Sequence, residues 1–359
     1  DYDSILAYAL GKPSEAFGDE YRKLDDGFIA RLPAPPYCFI DGITEVEGPP
    51  WIQQEGTRCV AEYSVPPDAW YFEASRQPRM PFAILLEAAL QPCGWLAAYC
   101  GSALTSDEPI HFRNLGGRAT QHREVTPESG LLRTEVALTS FSASAGMLIQ
   151  HYSMAIHDEI GPVYTGTTYF GFFPRAALAN QLGIRDPLPA GFPIAPVPGV
   201  APRPIPEHPR LPDTRFRMVA RIDAFDPHGG PHGLGVIRGS IAVDRDAWFF
   251  KAHFHQDPVW PGSLGLESML QLMEVFAIER WNLDDTVELQ AVAIEQPHEW
   301  TYRGQVLGHR ERVTVEVVVT EIDEAKKRIR ADGRLVVDGL WIYSMRSFTV
   351  DVVPARGNR

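Results

Sequence analysis

Three side chains stand where proton chemistry could be done. His253 precedes a turn-rich loop, Asp257-Pro258-Val259-Trp260-Pro261-Gly262, which feeds a long apolar run beginning at Ser263. Glu267 lies early in that run, and Glu87 lies in a second run of the same character, PFAILLEAALQPCGW. An imidazole titrates near neutrality and suits a general base. A carboxyl group carried into apolar surroundings has a raised pKa, stays protonated, and suits a general acid. A backbone N–H at a helix entrance suits an oxygen on which negative charge develops. Gly262 is the first candidate for that donor, with Phe82 or Ala83 at the other run as the alternative. Gln91 and Gln271 each follow an acid by four residues, which puts them on the same helical face.

The elements that must position these groups can be read around them. Leu264, Leu266, Met269, Leu270, Leu272, Met273, Val275 and Phe276 cover most of a helical wheel, so this helix is expected to be buried. Pro261 and Gly262 suit its entrance. Burying an unpartnered carboxylate costs several kcal/mol, so an acid in such a helix implies a purpose. Trp248, Phe249 and Phe250 read as the end of a strand leading into His253. In an extended stretch His255 would share a face with His253, but no third ligand is visible, so no metal is expected. Cys38, Cys59, Cys93 and Cys100 have neither zinc spacing nor a disulfide framework, and Cys93 reads as core.

The chain repeats itself. CVAEYSVPPDAWYFEAS parallels GVIRGSIAVDRDAWFFKAH, and CFIDGITEVEG parallels FRMVARIDAFD. Each copy continues into a proline-containing loop, an apolar helix with Glu then Gln, and alternating strand-like segments. Asp332-Gly333 and Asp338-Gly339 read as turns. The expected layout is an N-terminal linker or surface-docked lead-in (1–25) with one short helical candidate at Tyr21 to Leu24, a first copy (26–173), a proline-rich linker (174–213), a second copy (214–353) and a tail (354–359). Proline at the density of the linker deletes ladder donors, so residues 186–212 are expected to lack helix and strand and to lie on the surface. Each copy should be an antiparallel sheet around one helix, an α+β arrangement.

The copies differ at the reactive position. Aligned on their tryptophans, Ser75 stands opposite His253, and Phe82 stands opposite Gly262. The string HFHQDPVWPGSLGLESMLQ resembles the active-site segment of β-hydroxyacyl-ACP dehydratases of the hot-dog fold. YRGQVLGHRERVTVEVVV and ADGRLVVDGLWIY resemble later strands of the same fold, and the layout with a degenerate first copy resembles dehydratase regions of polyunsaturated fatty acid synthases. The resemblance implies a double hot-dog closing into a pseudo-dimer. It also implies a crossed site, with His253 as base and Glu87 of the other copy as acid. Gly262, Phe82 and Gln91 would position substrate, leaving Ser75, Glu267 and Gln271 as a vestigial pair site. It implies a hydro-lyase making trans-α,β-enoyl thioesters, with no metal or redox cofactor and the substrate on the phosphopantetheine of an acyl carrier protein. An isomerising dehydratase, a hot-dog thioesterase and a non-catalytic carrier-docking scaffold are the rivals.

Composition bounds the partners. The 359 residues suit two domains, and 45% hydrophobic with 22% charged residues is ordinary globular composition. A net charge of −13 argues against nucleic acid and against anionic membranes. Reduced cysteines and the lack of a signal peptide lead to the expectation of a cytoplasmic protein. The first residue is Asp, which leads to the expectation of a piece of a longer polypeptide with neighbouring synthase domains, and a homodimer of the pseudo-dimer is left open. Carrier proteins are acidic, so Arg76 and Arg79 are expected to contribute a local basic patch.

Overall fold

The computed structural model describes residues 1–185 and 201–356. The first copy holds β1 (Gly42–Glu47), β2 (Arg58–Ser64), α3 (Trp70–Ser75), α4 (Phe82–Tyr99), β3 (Ile110–Gln121), β4 (Leu131–Ser144), β5 (Met147–His157) and β6 (Pro162–Pro174). The second holds β7 (Arg203–Pro204), β8 (Arg221–Asp226), β9 (Val236–Ala242), α6 (Trp248–Ala252), α7 (Gly262–Trp281), β10 (Val287–Ala291), β11 (Pro297–Tyr302), β12 (Arg312–Asp323), β13 (Arg328–Val337) and β14 (Leu340–Pro354). Their strands join into one antiparallel sheet, in the order β1-β2-β4-β5-β6-β3-β11-β14-β13-β12-β9-β8-β7, with β10 also on β14. α4 packs on strands of the first half, α7 on strands of the second, and the two helices pack on each other. This is a double hot-dog.

The seam is β3 against β11, from Thr120 opposite Pro297 to Gly116 opposite Thr301. These two strands escape a reading by alternation because Gly116-Gly117 interrupts the first of them. The glycines are there for Trp300 of β11. A Cβ on Gly117 would sit 2.4 Å from its indole, and one on Gly116 would sit 2.5 Å from its carbonyl oxygen. Pairing these edges leaves neither copy with an open edge at the seam. The pseudo-twofold relation shows at the helix entrances too. The equivalent Trp70 and Trp248 meet with ring centroids 5.0 Å apart.

Several sequence expectations change. The aromatics at Trp248 open a short helix rather than ending a strand, and the equivalent Trp70 opens one too. β2 stops at Ser64, just before Pro66-Pro67, and β9 stops before the Asp244 turn, whose carboxylate accepts the Asp246 N–H at 3.0 Å. Asp332-Gly333 lies at a bulge inside β13, whereas Asp338-Gly339 is a turn with both φ positive. The lead-in is a packed element, not a linker. It forms α1 (Tyr2–Leu10), α2 (Pro13–Phe17) and a 3-10 helix (Asp19–Leu24), and it buries Ile5, Tyr8, Phe17 and Tyr21 in the core.

Of the proline-rich segment, residues 186–200 lie outside the described residues. On its near side, a short helix α5 (Arg175–Ala179) follows β6. On its far side Arg203–Pro204 pairs with β8, so the expected absence of strand does not hold there. That pair is at the sheet edge, where a proline lacking a donor is tolerated. Ile205 and Leu211 are buried, and Gln77 donates to the Arg210 carbonyl at 2.8 Å.

Arg79 is not part of a surface basic patch. Its guanidinium is buried between Glu124 (3.0 Å) and Glu288 (2.6 Å) and donates to the Leu289 carbonyl at 3.0 Å. The first copy's loop is thereby tied to the second copy's β10. Arg76 is exposed, but it too points along the chain, toward the Leu211 carbonyl at 3.4 Å. Removing one member of a buried ion pair strands its partners at a cost of about 3–5 kcal/mol. Arg79→Met is therefore expected to lower the thermal midpoint by several degrees, as read by calorimetry. An unchanged midpoint would show that the two carboxylates are rehydrated when the guanidinium is gone.

Candidate active site

α6 ends at His253. Its N–H donates to the Phe249 carbonyl at 2.9 Å, and the loop returns so that the Val259 N–H reaches the His253 carbonyl at 2.8 Å. The imidazole Nδ1 lies 3.1 Å from the Val259 carbonyl oxygen. A carbonyl only accepts, so Nδ1 carries the proton and Nε2 keeps its lone pair. His253 is 7% exposed. Burial pushes its pKa down to about 3, so the ring is neutral at pH 7. His255 is exposed, and the described residues hold no cluster that could bind a metal ion.

Glu87 faces the N-terminus of α7 and is 6% exposed. Its Oε1 accepts from Ser263 Oγ at 2.6 Å, and its Oε2 accepts from Gln91 Nε2 at 3.0 Å. Ser263 Oγ is also 2.9 Å from the Tyr37 hydroxyl. Burial raises the Glu87 pKa, against the pull of the Ser263 and Gln91 hydrogen bonds. Gln91 is a clamp as well, since it takes the Phe39 N–H and donates to the Tyr37 carbonyl, both at 2.8 Å. Gln271 does the same to Met218 and Phe216 in the second copy.

The two acids open into different cavities. One cavity, of about 690 Å³ counting its open mouth, is lined by His253, Glu87, Gln91, Gly262 and Ser263. Leu90, Gly94, Phe112 and Phe170 continue it along α4. The other, of about 370 Å³, is lined by Ser75, Phe82 and Glu267. His253 is thus brought together with Glu87 and not with Glu267. Phe82, a candidate for positioning substrate at the histidine, lies in the other cavity.

That second cavity differs from the first by more than the missing histidine. Ser75 Oγ is 3.3 Å from its own Phe72 carbonyl. Glu267 accepts the Ala83 N–H at 3.1 Å, and burial lifts its pKa to about 7. Seven residues beyond Glu267 stands Glu274, whose pKa burial raises well above the usual range. Seven beyond Glu87 stands Gly94. Where the first cavity runs on between apolar walls, the second meets a buried carboxyl group and Arg79.

Residues 32–164 and 211–346 each match the FabA-like domain family. The chain belongs to the FabA-like family. It is 30% identical over 388 aligned positions to one of the subunits of the polyunsaturated fatty acid synthase of Thraustochytrium sp., covering 97% of this chain and 26% of that relative. The chain therefore spans about a quarter of the synthase polypeptide it matches. Among solved structures, the dehydratase domain from the CurJ module of curacin polyketide synthase has a TM-score of 0.46 at 11% identity, over 87% of this chain and 97% of that one. An oleoyl thioesterase (putative) from Lactobacillus plantarum has a TM-score of 0.48 at 11% identity, over 84% and 98%.

Within this FabA-like pair, the loop after His253 is held from the other copy, a tie that the sequence pattern does not announce. Asp257 forms an ion pair with Arg113 at 2.7 Å and lies 2.9 Å from His111 Nδ1, both on β3. Burial alone would raise the Asp257 pKa, but His111 and Arg113 hold it at about 2. Arg31 Nε donates to Gln256 at 3.1 Å and its Nη1 donates to the Tyr8 carbonyl at 2.9 Å, which ties the loop to the lead-in. The only sequence signal for these anchors is the acid of the loop itself, which needs a cation.

Proposed function

We propose that the chain dehydrates β-hydroxyacyl thioesters to trans-α,β-enoyl thioesters, as a hydro-lyase in fatty acid or polyketide elongation. The observation that carries this reading is that a neutral histidine and a protonatable glutamate, one from each copy, line a single apolar cavity at a helix N-terminus. His253 Nε2 takes the α-proton, and the electron pair moves toward the thioester oxygen. The N–H of Gly262 and the positive end of α7 stabilise that oxygen. Glu87 gives its proton to the β-hydroxyl as the C–O bond breaks, and water leaves. The proton on His253 returns to the Glu87 carboxylate, by way of solvent, to close the cycle. An acid and a base lining one cavity suit one substrate held there.

The family match and the synthase relative support a substrate carried on the phosphopantetheine of an acyl carrier protein, with synthase domains as neighbours in the cytoplasm. The chemistry calls for no metal or redox group. The test is mass spectrometry of β-hydroxyacyl-carrier substrates of graded chain length after incubation with the protein. Loss of one water from the bound acyl group is expected. Release of the free hydroxy acid with the thioester cleaved would overturn the reading in favour of a thioesterase.

A further inference from the structure

Tyr302 ends β11 and reaches the catalytic cavity from the sheet side. It is 5% exposed, and its hydroxyl has no hydrogen-bond partner among the described residues. A buried hydroxyl left without a partner costs about 1–3 kcal/mol, so such a group stands out in a well-packed core. The ring is fixed on one side by Tyr343, at 4.7 Å and nearly edge-on. On the other it lies against the first residue of α7. A Cβ on Gly262 would come within 2.8 Å of the Tyr302 ring and 3.1 Å of its oxygen. The absence of a side chain at Gly262 thus lets a phenol hydroxyl stand beside the N–H groups that open α7, none of which has an acceptor within the helix.

The first copy has no phenol at the matching place. Trp260 N–H bonds the Val306 carbonyl as Met80 N–H bonds that of Val125, which makes Gln121 the counterpart of Tyr302. The Gln121 amide is spent on the Arg123 carbonyl at 2.9 Å. The phenol therefore accompanies the histidine, not the fold. The Trp260 indole N–H, in the same wall, also lacks a partner, but its ring is packed on Phe249 and Phe250.

Building on the dehydratase reading, we propose that the Tyr302 hydroxyl is a second donor to the thioester oxygen of the substrate, beside the Gly262 N–H. Burial keeps the phenol protonated far above neutral pH, so it can donate throughout the working range. It holds its proton through the reaction. As His253 removes the α-proton, the negative charge arriving on the thioester oxygen shortens this hydrogen bond, and it relaxes when water leaves and the carbonyl reforms.

The test is Tyr302→Phe, with two rates and a melting curve. The first rate is dehydration. The second is α-hydrogen exchange in D₂O of a saturated acyl thioester, which lacks the β-hydroxyl and so does not call on Glu87. Both rates are expected to fall roughly 10²-fold, as when one oxyanion donor is lost, with KM little changed. Because the hydroxyl has no partner in the protein, the thermal midpoint should stay or rise. Glu87→Gln should lose dehydration while keeping exchange. Wild-type rates in Tyr302→Phe, a fall in dehydration without a fall in exchange, or a lowered midpoint would each overturn the assignment while leaving the dehydratase reading intact. A wild-type protein that neither dehydrates nor exchanges would overturn both.

Discussion

His253→Ala should lower dehydration by roughly 10²–10⁴-fold, the usual worth of a positioned acid–base group. Ser75→Ala should leave the rate unchanged, because Ser75 faces the cavity that lacks a base. The size of the histidine effect follows from the geometry of the loop. Val259 fixes the ring and its tautomer, so Nε2 presents a lone pair without reorganisation. The pH profile carries the same information with a sign. The active form of the base is neutral, and burial puts its pKa at about 3. Activity should therefore not fall on acidification through pH 6.5, where an ordinary imidazole would protonate. The active form of the acid is protonated, and burial raises the Glu87 pKa. Activity should fall as pH rises through that value. Near wild-type turnover in His253→Ala, or an acidic limb centred at 6.5, would remove the buried imidazole from the mechanism.

Much of this site is legible in the sequence because its chemistry is written locally. A histidine, a proline–glycine turn and an acid in an all-apolar helix each carry their own signal, and the resemblance to hot-dog dehydratases, carried over to the repeat, pairs His253 with Glu87. The apolar wheels of α4 and α7 mark interior helices, as the structure bears out. Helix α4 is long and apolar enough to cross a membrane, yet it is 94% buried among the sheets. What cannot be read is whatever a distant partner decides. β3 looks unlike a strand because its glycines answer to Trp300, far away in sequence. Arg113 and His111 have no pattern of their own, since their reason is Asp257. Arg79 looks like surface charge because the carboxylates that bury it come from β10 and from the loop after β3. The lead-in looks like a linker because its apolar run, Ile5 to Leu10, is followed by mostly polar sequence, and a main partner, the packed surface of α4 with Trp95 against Phe17, lies far away in sequence. Glu274 is in plain view, but its meaning emerges only against Gly94, seven residues beyond the equivalent acid.

Glu87→Gln should abolish dehydration with the fold intact, whereas Glu267→Gln should leave most of it. The two acids are alike in sequence: each sits in an apolar helix four residues before a glutamine. They are alike in environment too, since each is buried and each reaches across to the opening turn of the other helix, Glu87 to Ser263 and Glu267 to the Ala83 N–H. Burial raises both pKa values. Acidity alone therefore cannot tell them apart, and only their company does. Glu87 opens onto the cavity with His253, Gly262 and Tyr302, while Glu267 shares its cavity with a serine bonded to its own backbone, and with a second carboxyl group where an acyl chain would have to run. Glutamine keeps the shape of either side chain and can still accept from Ser263 Oγ or the Ala83 N–H, so packing should survive both changes. At position 87 it cannot release a proton to the leaving hydroxyl, and a fall of roughly 10²–10⁴-fold is expected. At position 267 the amide should also relieve the cost of a buried carboxyl group. Glu267 holds its proton up to about pH 7 in the folded chain, against about 4.3 for an unperturbed glutamate. Wild-type stability relative to Glu267→Gln should therefore decline as pH rises from roughly 4 to 7, the range over which the unfolded chain gives up the proton that the folded one keeps. Paired melting curves across that range, run beside the two turnover measurements, separate the roles. If the dead variant proves to be Glu267→Gln, each half works with its own acid and the crossed site is wrong.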